Sequence, residues 1–115
     1  MIKLKLEPEV QKVILEGPQG PEEYELREMD AATRDDYLDQ LARRMAVSPD
    51  GKIMGVRQIQ GMQASLIARC LFRANGERVK EEEVQQWPAS TVQALFETAQ
   101  KMNHLVAEEG ERKNV

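Results

Sequence analysis

A chain of 115 residues, 41% hydrophobic and 31% charged, has the size and composition of one globular domain with a single core, and too many aliphatics for a disordered chain. Its formal charge of -4, with Lys and Arg scattered among Asp and Glu, disfavours nucleic acid or an anionic membrane as a partner, since both demand a concentrated positive field. The one cysteine lacks a second thiol to pair with inside the chain, which points to a reducing compartment. The sequence shows neither a signal-peptide stretch nor the ~20 apolar residues of a bilayer span, so a soluble protein is expected.

Ile2, Leu4 and Leu6 alternate with Lys3 and Lys5, the period of a strand with one buried face, and Pro8 ends it. A second apolar run, Val13 to Leu15, leads into Gly17-Pro18-Gln19-Gly20-Pro21, which reads as a turn or loop. Tyr24 and Leu26 follow, so residues 10–16 and 23–29 are expected to pair as a hairpin. Asp30 is placed to cap a first helix whose face carries Tyr37, Leu38, Leu41 and Met45. Ser48-Pro49-Asp50-Gly51 ends that helix as a tight turn, and residues 52–58 are ambiguous. The clearest helical period is Ile59, Met62, Leu66, Ile67, Cys70 and Leu71, stopping at Ala74-Asn75-Gly76. A short helix over 80–86 follows, then Pro88. Ser90 and Gln93 have the spacing of a capping box before a last helix with Val92, Leu95, Phe96, Ala99 and Met102 on one face.

The expected architecture is therefore α+β, mostly α, in one domain over residues 1–105. A small N-terminal antiparallel hairpin or sheet occupies residues 1–29 and about four helices occupy 30–105. The polar stretch 106–115 reads as a flexible tail.

No constellation of chemical groups emerges. His104 is the only histidine, which rules out a histidine metal cluster or a nucleophile with a histidine base; a solvated residue at a helix end is the simpler reading. Cys70 shares a face with Leu66, Ile67 and Leu71 and reads as a core thiol. Aligning Gly76 with the glycine of a calcium loop puts Leu71 and Arg73 at ligand positions, so that loop is rejected. Asp35-Asp36 and Glu81-Glu82-Glu83 are consecutive and do not converge on a helix. No glycine-rich loop follows a strand to cradle phosphate. Catalytic, cofactor and metal sites are thus expected to be absent, and a non-enzymatic binding protein is the natural class. Six methionines stand beside two phenylalanines, two tyrosines and one tryptophan, a soft apolar composition suited to adaptable contacts. Met62 and Met102 fall on core faces; Met29, Met45 and Met54, near element ends, are the candidate partner-binding residues.

Taken in order, several segments resemble the tail assembly chaperones of long-tailed bacteriophages. They are Tyr24-x-Leu26-Arg27-Glu28-Met29 running into Asp30 to Leu38, then Gly61 to Leu71, Asn75 to Val79, Trp87-Pro88, and Lys101 to Leu105. The resemblance covers residues 22–114, and a glycine usually stands where His104 does. It implies a protein that coats the tape-measure protein in the host cytoplasm, keeps it soluble, recruits major tail-tube subunits, and is absent from the mature virion. Self-association is compatible with such coating. The family also implies a longer product made by ribosomal frameshifting, for which Arg112-Lys113-Asn114 permits a slippery run of adenines. The rival classes are a minor structural virion component, such as a head-tail connector or completion protein, and an adaptor for one folded host partner.

Overall fold

The computed structural model describes residues 1–44 and 61–105. The expected turn at 48–51, the ambiguous stretch 52–58, Ile59, Met45, Met54 and the tail 106–115 lie outside the described residues.

Two strands, β1 (Val10–Gly17) and β2 (Gly20–Arg27), pair antiparallel in the register Val10 opposite Arg27 to Gly17 opposite Gly20. Pro18 and Gln19 make the turn, and Gly20, at φ 107°, takes the left-handed conformation that glycine reaches without steric cost. The hairpin is longer at its turn end than the apolar pattern suggests, because Glu16 and Pro21 still lie opposite each other. Pro21 is tolerated there: its missing N–H would point toward β3, which pairs only with Tyr24 to Leu26.

Asp30 caps the next helix as expected, its carboxylate accepting the Thr33 N–H at 2.7 Å. Helix α1 spans Ala31–Arg44, buries Tyr37 and half-buries Leu38 and Leu41. Helix α2 (Met62–Cys70) is the centre of the molecule: it packs against α1, α3 (Glu81–Val84), α4 (Ala89–Met102) and β2, and Leu66, Ile67 and Cys70 are wholly buried.

The helix does not continue to Asn75. It ends at Cys70, and the very next residues form β3 (Leu71–Arg73), antiparallel to β2 with Leu71 opposite Leu26 and Arg73 opposite Tyr24. Leu71 is apolar and buried in either conformation, so the helical period could not reveal the switch; pairing with β2 decides it. Asn75-Gly76 then reverses the chain. The Asn75 side chain accepts the Glu77 N–H at 2.9 Å, Gly76 sits at φ 91°, and the Val79 N–H returns to the Leu71 carbonyl at 3.0 Å.

The result is an α+β fold: the described residues form a three-stranded antiparallel sheet in the order β1-β2-β3 and four helices. Two expectations are corrected. Residues 2–6 form no strand, and Ile2, Leu4 and Leu6 are 83%, 87% and 103% exposed. The third strand comes instead from within the helical half, where it can pair with Leu26 and Tyr24. The Ser90 capping box is also not formed: α4 starts after Pro88 without a side-chain cap, and Gln93 bonds Gln63 and Glu97 instead.

Candidate functional site

The residues singled out from the sequence do not gather at one place. Cys70 is fully buried, and burial pushes its thiol pKa up to about 11, against the smaller opposing effects of a hydrogen bond from Asn103 and of Arg78 and Arg69. His104 is exposed at the end of α4, at φ 55°. Asp36 pairs with Arg69 at 2.6 Å and Glu83 pairs with Arg73, so these carboxylates serve to join elements. Among the described residues no group of three His, Cys, Asp or Glu could hold a metal ion, and no helix is long and apolar enough to cross a membrane. Met62 and Met102 are core residues, 3% and 6% exposed, as expected from their faces. Met29, at 8%, is buried with them, so its side chain is not offered to a partner in this conformation.

Two polar residues that sequence reasoning missed in the interior are Ser65 and Asn103, each 3% exposed, and Asn103 makes the longer-range contacts. The Asn103 side-chain oxygen accepts the Met29 N–H at 2.8 Å, while its amide donates to the Ala99 carbonyl at 2.8 Å and contacts the Cys70 sulfur at 3.5 Å. The Asn103 carbonyl also accepts from Arg34 at 3.3 Å. One polar side chain thereby ties the end of α4 to the β2–α1 junction and to α2, and all of its polar atoms are satisfied.

On the surface, the two faces of the sheet differ. Tyr24, Leu26 and Leu71 face the core, with Val13 and Leu15 packed against it and Trp87 edge-on to Tyr24 at 6.0 Å. The opposite face carries Phe72 between the guanidinium groups of Arg27, at 4.3 Å, and Arg78, at 5.2 Å, with Glu25 bound to Arg27 at 3.1 Å. Among the described residues, the large hydrophobic residues left exposed are Met1, Ile2, Leu4, Leu6, Val10 and Ile14, all at the N-terminal end. Single exposed apolar residues mean little, whereas six fall here on one short arm and the adjoining strand. The alternation of residues 2–6 was visible in the sequence; that these side chains stay exposed was not.

No family model matches this sequence, and no curated protein matches it either. A solved structure does: the tail assembly chaperone of bacteriophage HK97, with a TM-score of 0.56 and 16% identity, over 83% of this chain and 85% of that chain. The fold is that of a phage tail assembly chaperone.

Within this chaperone fold, the segments that carry the sequence resemblance fall at structural joints. Asp30 caps α1, Leu71 carries α2 into the sheet, and Asn75-Gly76 turns the chain out of β3. Lys101 to Leu105 closes α4, with the Leu105 N–H donating to the Gln100 carbonyl at 2.9 Å. His104 occupies the left-handed position that explains why glycine is usual there.

Proposed function

We propose that the protein is a tail assembly chaperone that binds the tape-measure protein, keeps it soluble in the host cytoplasm, recruits tail-tube subunits to it, and leaves before the virion is complete. The observation that carries this reading is the chaperone fold, matched over most of both chains. The arrangement of the chain supports a holding role: Asp36 and Glu83 join elements, the thiol is buried, and a set of apolar side chains lies exposed at the N-terminal end.

A long client offers many similar sites. Weak contacts repeated along it give high overall avidity, while each copy stays displaceable by a tube subunit. Of the three candidate methionines, Met45 and Met54 are the positions at which client contact is assigned. Met29 is a poor probe because it belongs to the core.

Co-expression with a tape-measure protein tests the proposal. Soluble client in the presence of the chain, and insoluble client in its absence, is the expected result; equal insolubility in both overturns it. Exchange of Met45 and Met54 for polar residues is expected to reduce solubilisation of the client, with circular dichroism checking that the variant folds. Finding the chain in purified particles would favour the rival reading of a minor virion component.

A further inference from the structure

The open edge of the sheet and the N-terminal arm are complementary. Among the described residues β1 is an edge strand, since the sheet runs β1-β2-β3. The Glu28 N–H donates to the Glu9 carbonyl at 2.8 Å. Antiparallel alternation then directs the backbone of Gln11, Val13 and Leu15 toward β2 and leaves the N–H and C=O groups of Val10, Lys12, Ile14 and Glu16 pointing outward. Such a row is a template for one more strand. The arm has the matching form, with Ile2, Leu4 and Leu6 alternating with Lys3 and Lys5 and every one of these apolar side chains exposed.

We propose that residues 2–6 of one copy add as an antiparallel strand to the β1 edge of a second copy of this chain. The register that satisfies both faces sets Lys3 opposite Glu16, Leu4 opposite Leu15 and Leu6 opposite Val13. Leu4 and Leu6 then cover the groove side of the sheet, where Leu15, Tyr24, Trp87 and Thr91 line a depression. Lys3 and Lys5 lie on the other side, near Glu16 and Glu23, so a basic arm meets an acidic hairpin.

The pairing is possible only between copies. Placing Leu6 opposite Val13 of its own chain would turn residues 7–12 into a loop and pull Val10 to Lys12 out of β1. Glu9 is in addition fixed against β2, its N–H bound to the Glu28 carboxylate at 3.0 Å and its carbonyl to the Glu28 N–H. In its own chain, the arm at Lys5 to Pro8 instead borders Arg27, Phe72 and Arg78, at the far side of β2 from the open edge. The inference stands independently of the tape-measure reading.

Light scattering on the full chain over a wide range of concentration tests it. The expected result is a mass above that of the monomer that rises with concentration and is lost in a variant lacking residues 1–6 and in Ile14→Pro, which removes an outward N–H without breaking the β1–β2 ladder. Lys3→Glu is expected to weaken association about threefold to tenfold, and Glu16→Lys in the same chain to restore it. A wild-type chain that stays monomeric, assembly unaffected by loss of the arm, or no rescue by the charge exchange would overturn the proposal. Should Ile14→Pro fail to fold by circular dichroism, Leu4→Cys and Leu15→Cys chains carrying different tags replace it. A disulfide joining the two tags is expected on mild oxidation, with buried Cys70 as the silent control, and its absence overturns the proposal.

Discussion

His104 holds a backbone conformation, φ 55°, that brings its Cβ close to its own carbonyl oxygen and costs a residue other than glycine roughly 1 kcal/mol. Its side chain is exposed, so nothing evident offsets that cost. His104→Gly is therefore expected to stabilise the protein by up to ~1 kcal/mol, read as a higher urea midpoint at unchanged slope. Cys70 makes a different prediction. With its thiol buried and its pKa raised from 9.0 to about 11, the folded state holds the proton more tightly than the unfolded one. The associated stability is fully present below pH 9 and is lost as the pH rises toward 11. A thiol reagent at pH 8 is expected to label the native protein slowly and the urea-unfolded chain at once, and equal rates would contradict the burial.

At the level of elements, the hairpin, the Asp30 cap, the short helix before Pro88 and the apolar faces of the three longer helices were legible in the sequence, because each rests on local chemistry: alternation, a short polar side chain before an apolar period, a proline. Sequence reading failed where tertiary contacts decide. Leu71 suits a helix face and a strand equally, and only Leu26 across the sheet selects the strand. Ile2, Leu4 and Leu6 have the pattern of a half-buried strand but no strand partner among the described residues. The polar knot at Asn103 was not legible, since an asparagine near a helix end gives no sign of what it will meet. The Asn75-Gly76 turn offers a test at this scale. A Cβ on Gly76 would meet nothing within 4 Å, so any cost of Gly76→Ala comes from its φ of 91° alone. A loss of about 1 kcal/mol is expected in chemical denaturation, from strain in the connection that holds β3 to Val79.

For the whole molecule, the division between a closed core and an uncovered arm separates stability from association. Deleting residues 1–6 removes exposed side chains and is expected to change unfolding free energy by no more than ~0.5 kcal/mol. A large loss on deletion would mean that the arm packs on its own domain. A second property follows from the junction at Cys70 and Leu71, where a helix passes into a strand with no residue between them. There is no hinge at that point, so α2 and β3 must open together. In native-state hydrogen exchange they should behave as one cooperative unit at the high-protection end. In the monomer the outward amides of β1 should exchange first, and pairing with a neighbour's arm should slow those of Ile14 and Glu16.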